Sequence, residues 1–105
     1  MEAVSDDLRL EQARKAAIKG RRAKQILEDE VFNEAFDGLE RKCIESWQNS
    51  RPDDTEARER AFRLLTSARA AKQEFIKILN DGIMAEADLA EANEAPGVIQ
   101  TYTAG

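Results

Sequence analysis

The sequence predicts an all-α fold built around a long antiparallel helical hairpin. The 105 residues include 17 alanines and are rich in Glu, Arg, Leu and Lys, which are strong helix formers. Val, Ile and Thr are sparse and nowhere alternate with polar residues over the length of a strand. Two central stretches carry apolar residues at three- and four-residue spacing. The short turn between them predicts two antiparallel neighbouring helices.

Residues 1–29 are predicted to form a basic N-terminal helix. Ser5 is suited to cap it, and the two residues that follow are acids, which complement the helix dipole. The apolar stripe of this helix is thin, since its members are mostly small: Leu10, Ala13, Ala17, Gly20 and Leu27. Because a glycine inside a helix costs about 1 kcal/mol relative to alanine, a break or hinge is predicted near Gly20.

Residues 30–82 are predicted to form the hairpin. The helix over about 30–48 has the clearest amphipathic pattern in the chain. Its stripe consists of Phe32, Phe36, Leu39, Cys43 and Trp47. Pro52 disfavours helix at the residue before it, and Asp53 with Glu56 resembles the capping box that starts a new helix. Because four of the six aromatic residues lie between positions 32 and 62, we expect this central part to hold the core.

The second helix of the hairpin is predicted to run from about Asp54 to Asn80. Its stripe consists of Ala61, Leu65, Ala68, Phe75 and Leu79. The sequence Asn80-Asp81-Gly82 predicts the end of this helix, since Asn and Gly tolerate the left-handed conformation of a helix cap. Neither helix of the hairpin can bury its stripe alone. Because a chain this short buries only about 60–65% of its unfolded surface, we expect a homo-oligomer, with Phe32, Phe36, Trp47 and Phe75 as its interface residues.

Residues 83–105 are predicted to form a short helix and an extended C-terminal arm. Pro96-Gly97 breaks any helix, and the tail that follows has the only β-like composition in the chain. It is too short to form a sheet of its own. Two interpretations stay open: a frayed end, or an arm that docks on a partner through Val98, Ile99 and Tyr102.

Charge is strongly segregated along the chain, although the net charge is only −5. Residues 14–24 carry six bases and no acid, residues 25–57 have a net charge of −7, and residues 58–77 have +4. The six bases are Arg14, Lys15, Lys19, Arg21, Arg22 and Lys24. They are candidates for binding the phosphates of double-stranded DNA, or they form a solvated helix face that pairs with acidic helices.

The residue types argue against several kinds of site. Without His and with a single Cys, the chain offers no zinc site, disulfide or His-based triad. The carboxylates occur at helix-surface spacings, and no phosphate-binding glycine motif is found. We therefore expect no catalytic residue, no metal and no cofactor, and we expect Cys43 to be a buried small apolar residue. No stretch approaches 18 apolar residues, so no membrane partner is expected.

The order of residues in the middle of the chain carries a family resemblance. Ala23-Lys-Gln-Ile26-Leu27 is followed by Phe32, Ala35-Phe36, Leu39, Ile44 and Trp47, and then by Ser50, Asp54, Glu56, Arg58-Glu59 and Leu64-Leu65. Over residues 21–90 this order resembles a group of short helical proteins encoded in tailed-bacteriophage genomes. The genes that encode members of this group lie near genes for head assembly and DNA packaging. The resemblance implies a phage setting and no catalytic residue.

With this resemblance, the sequence predicts a non-enzymatic phage assembly protein in the host cytoplasm or the virion. In one version it is a DNA-packaging factor with the layout of a small terminase subunit. Its hairpin oligomerises, its basic helix contacts double-stranded DNA, and its tail docks on another phage assembly protein. A second version is a structural head or connector component. A third is a small acidic inhibitor of a host defence or transcription enzyme, acting through residues 25–57 and the tail.

Overall fold

The computed structural model describes the backbone of residues 2–92 and the side chains of residues 6–92. Three helices occupy this part of the chain: α1 (Glu2–Leu27), α2 (Glu30–Asn49) and α3 (Thr55–Glu91). Residues 2–92 contain no strand, and the all-α class is confirmed. The predicted C-terminal arm lies outside the described residues.

The helices pack as two compact units that share α3. One unit contains α1 with the part of α3 from Phe75 onward, and the other contains α2 with the part of α3 up to Glu74. In the second unit, Glu40 of α2 pairs with Arg69 of α3, and Trp47 contacts Arg58. From the first pair to the second, the residue number rises along α2 and falls along α3. The two helices are therefore antiparallel, and the predicted hairpin is confirmed.

Small side chains and leucines form the buried core between α1 and α3 in the first unit. Its core cluster consists of Ala13, Ala17, Ala85 and Leu89, with Leu10 and Ala16 packed against it. Leu27 and Leu79 are also buried. The stripe predicted for α1 therefore faces α3. A Cβ built on Gly20 would lie 2.7 Å from the Cα atom of Gly82, so the two helix backbones touch at these glycines.

The predicted helix stop at Asn80-Asp81-Gly82 is wrong. α3 continues through Gly82 to Glu91, and α1 likewise continues through Gly20 without a break. A glycine disfavours the helix interior by about 1 kcal/mol, but here each glycine removes a side chain where the partner backbone lies. The close contact between the two helices offsets this intrinsic penalty.

The expectation that the aromatic middle of the chain holds the core is also wrong. In the second unit the buried apolar residues are the small ones Cys43, Ala61 and Ala68. Phe32 and Phe36 are half-buried, with their ring centroids 4.7 Å apart. The fully buried leucines belong to the first unit. Small residues let α2 and α3 approach closely. The bulkier side chains therefore lie at the sides of the seam, which is the line of contact between α2 and α3 formed by Cys43, Ala61 and Ala68.

Two of the predicted caps are corrected. α1 begins at Glu2, so Ser5 lies inside the helix and does not cap it. The residue that caps α3 is Asp54, whose Oδ1 accepts a hydrogen bond from the backbone N–H of Ala57 at 3.1 Å. Its neighbour Asp53 forms an exposed ion pair with Arg51 instead. Only the carboxylate directly before Thr55 reaches the free N–H groups of the first turn.

Candidate interaction surface

Two grooves of the hairpin of α2 and α3 are floored by Cys43 and Ala61. The Trp47 groove, about 240 Å³ in volume, is further lined by Ile44, Trp47, Phe62 and Leu65. The Leu64 groove, about 190 Å³ in volume, is further lined by Leu39, Lys42, Ser46, Ala57, Arg60 and Leu64. Phe62 and Leu64 are two residues apart, which places them about 200° apart around α3. The two grooves therefore lie on opposite sides of the seam.

Large apolar side chains around both grooves are open to solvent. Trp47 is 43% exposed, Phe62 61% and Leu64 56%. The cause is the seam itself, because Cys43 and Ala61 occupy the positions that face the opposite helix. In a unit of two helices, only the surfaces between the helices are packed. The apolar side chains on the outer faces are buried only if another layer of structure packs on them. Clustered exposed apolar groups of this kind mark sites of protein–protein interaction.

The two grooves differ in charge. Within the part of the chain that the structure describes, no charged side chain lines the Trp47 groove. The Leu64 groove is lined by the cations Lys42 and Arg60. Burying a cation without a partner is costly, whereas burying an apolar lining is favourable. The Trp47 groove is therefore the better site for an apolar partner surface.

The edges of the Trp47 groove carry opposite charges. The guanidinium group of Arg58 on α3 lies over the Trp47 ring, 4.3 Å from its centroid, and donates a hydrogen bond to Ser50 Oγ at 3.4 Å. Further along the hairpin, Arg69 Nη2 lies 3.5 Å from Glu40 Oε2. A cation over the face of an indole stabilises its orientation. The α2 edge thus presents an acid, and the α3 edge presents two arginines.

The predicted basic segment lies along α1, and most of it is exposed. Lys15 pairs with Glu11 at 3.7 Å, and both side chains are largely in solvent. Lys19 and Arg22 are exposed and form no ion pair with any residue from 6 to 92. Arg14 is exposed and Lys24 is half-buried. The bases are therefore distributed over the outer half of α1.

Arg21 differs from the other bases because it neutralises a buried acid. Its Nε and Nη2 donate hydrogen bonds to Glu86 Oε1 at 2.8 and 2.5 Å. Glu86 is fully buried, and its Oε2 has no hydrogen-bond partner among the described residues. A buried carboxylate that loses its counter-ion destabilises the folded protein. Arg21 therefore holds α1 to α3, whatever else it binds.

Sequence reasoning identified part of the exposed apolar surface. Trp47 was predicted at an interface and is exposed, whereas Phe32, Phe36 and Phe75 are half-buried. The predicted interface residues Val98, Ile99 and Tyr102 lie outside the described residues. Phe62 was missed because it flanks the stripe of its helix, although its position next to the buried Ala61 indicates the side of a seam. Cys43 is a buried free thiol, as expected.

No family model matches the chain, and no curated protein and no solved structure matches it either. None of the helices in the described part of the chain is long and apolar enough to cross a membrane. The exposed surface of the chain itself is therefore the basis for a functional proposal.

Proposed function

We propose that this protein is a non-enzymatic assembly protein that works by self-association of its helical hairpin. The observation that carries the proposal is the exposed apolar surface on α2 and α3. Trp47, Phe62 and Leu64 are each more than two-fifths exposed in a chain of 105 residues. Full burial of such a side chain is worth about 1.5–3 kcal/mol. Covering several of them together favours an oligomer over the single chain.

The biological setting that we propose is bacteriophage assembly, either in DNA packaging or in the building of the virion. This part of the proposal rests on the resemblance over residues 21–90. In a packaging factor, the hairpin would hold the copies together and leave α1 free to contact DNA. In a structural virion component, the same hairpin contacts would join neighbouring subunits, and the bases of α1 would face acidic protein surfaces.

The solution mass tests the proposed self-association. Light scattering on a sizing column at moderate salt should give a defined oligomer whose mass falls on dilution. A single-chain mass at every concentration up to about 100 μM would contradict the proposal, since a Kd weaker than this corresponds to less than about 5.5 kcal/mol of association free energy.

A second measurement separates the packaging setting from the structural one. Lys15, Lys19 and Arg22 lie at spacings that place them on one exposed face of α1. Replacing all three with Glu should weaken binding to double-stranded DNA and reduce the salt slope by about 3, because each lost phosphate contact removes about one unit. Arg21 is left in place, so that its pair with Glu86 continues to hold α1. Unchanged DNA binding would exclude a DNA role for this face.

A further inference from the structure

We infer that the Trp47 groove is covered by the Trp47 groove of a second copy, which gives an antiparallel four-helix bundle. In this bundle α2 of each copy lies against α3 of the other. The inference rests on the proposed self-association and specifies its contact face, its partner and its geometry.

The lining of the grooves selects the face. The Trp47 groove brings Trp47 and Phe62 to the surface, and no charged side chain of the described part of the chain lines it, while the Arg58 guanidinium lies over the Trp47 ring at the edge of the groove. If the hairpins paired through the Leu64 groove, Lys42 and Arg60 of both copies would be brought into one interface. Like charges in contact oppose association. The apolar face can be buried without this repulsion.

The charges on the two helices select a second copy as the partner and fix its orientation. α2 carries five acids and two bases, whereas residues 55–74 of α3 carry five bases and three acids. A two-fold axis parallel to the helices places the acidic α2 of one copy over the basic α3 of the other. A two-fold axis across the helices would place α2 over α2 and α3 over α3, so that like charges meet. The first arrangement is therefore the complementary one.

Individual groups at the groove edge agree with this orientation. A two-fold axis along the bundle keeps equivalent residues at the same height. Glu40 and Arg69 already lie at one height, 3.5 Å apart within the hairpin. In the dimer, Glu40 would face the partner's Arg69 as well as its own. Trp47 and Phe62 would then lie in the interior of the bundle, where buried aromatic residues contribute most to association.

Two neighbouring residues on α3 provide a matched test of the face. Phe62 and Leu64 are similarly exposed but belong to opposite grooves. The variants Phe62→Glu and Leu64→Glu introduce the same charge at solvent-exposed positions, so the hairpin should fold in both. By light scattering over a dilution series, we expect Leu64→Glu to dimerise like the unaltered chain. Phe62→Glu should raise the dissociation constant roughly 100-fold or more.

A second pair of variants tests the orientation. Arg69→Glu would bring a carboxylate against Glu40 of the partner and should weaken the dimer about tenfold. The control is Arg63→Glu, since Arg63 is highly exposed and pairs with Glu59 on its own helix. It should leave the dissociation constant unchanged. If α3 lay over α3, residue 69 would not face Glu40 of the partner, so Arg69→Glu would not weaken the dimer in this way and the two variants would behave alike.

The outcomes distinguish this inference from the proposed function on which it rests. If both groove variants dimerise like the unaltered chain, or if only Leu64→Glu dissociates, the Trp47 groove is not the contact face, while self-association still stands. If Arg69→Glu and Arg63→Glu dimerise equally well, the orientation is overturned. If the unaltered chain is a single copy at every concentration, both the inference and the proposed self-association are wrong.

Discussion

Gly20 and Gly82 face each other so closely that a side chain on either would overlap the backbone of the other helix. A Cβ on Gly82 would lie 2.6 Å from the Cα atom of Gly20 and 3.0 Å from the carbonyl oxygen of Ala16. Both neighbours are backbone atoms, which cannot move without shifting a helix. The two glycines therefore set the distance between α1 and α3 in the first unit.

Gly82→Ala should lower the free energy of unfolding by up to about 2 kcal/mol. The overlap costs about 1–3 kcal/mol, and the better helix propensity of alanine returns about 1 kcal/mol. Gly38→Ala is the matched control, because a Cβ built on Gly38 would lie 3.8 Å from its nearest neighbour, the Nη2 atom of Arg41. It should raise the free energy of unfolding by up to about 1 kcal/mol. Urea denaturation measures both, and equal stabilisation by the two variants would contradict the close contact.

Arg21→Met should lower the free energy of unfolding by about 3 kcal/mol, because it leaves the buried Glu86 carboxylate without its counter-ion. Adding Glu86→Leu should recover most of this loss, since the uncompensated charge is then gone. Lys15→Met is the control, because its pair with Glu11 is exposed. It should change stability by less than about 0.5 kcal/mol. Denaturant titrations of the four proteins test the claim, and a double variant as unstable as Arg21→Met alone would argue against a compensated buried charge.

Asp54→Ala should destabilise the protein by about 1 kcal/mol, while Asp53→Ala should have little effect. Asp54 accepts the hydrogen bond from Ala57 N–H in the first turn of α3, and Asp53 forms only an exposed ion pair with Arg51. The thermal midpoints of the two variants provide the comparison. If Asp53→Ala proves the more harmful, the cap predicted from the sequence is right and the structural assignment is wrong.

Local sequence patterns predicted the helices and the hairpin well, because these depend on residues close together in the chain. The spacing from Phe32 to Trp47 indicated α2, and Pro52 indicated the turn after it. The stop predicted at Gly82 failed for a tertiary reason. Asn-Asp-Gly favours a helix end by itself, but the approach of Gly20 from another helix favours a glycine inside α3.

The candidate interaction surface was predicted only in part. The stripe on each helix of the hairpin was visible, but which large side chains stay exposed depends on how two helices pair. Pairing through Cys43 and Ala61 leaves Phe62 at the side of the seam. One helix considered alone does not contain this information. The role of Arg21 was hidden for the same reason, since Glu86 lies 65 residues further along the chain.

The most direct test of hairpin pairing through the Trp47 groove is the fluorescence of the single tryptophan during dilution. Trp47 is the only tryptophan in the chain and is 43% exposed in a single copy. Dimerisation through this groove buries it further. On dilution, its emission maximum should therefore move to longer wavelength with the same midpoint as the halving of the mass by light scattering. An emission maximum that stays constant while the mass halves would contradict pairing through the Trp47 groove.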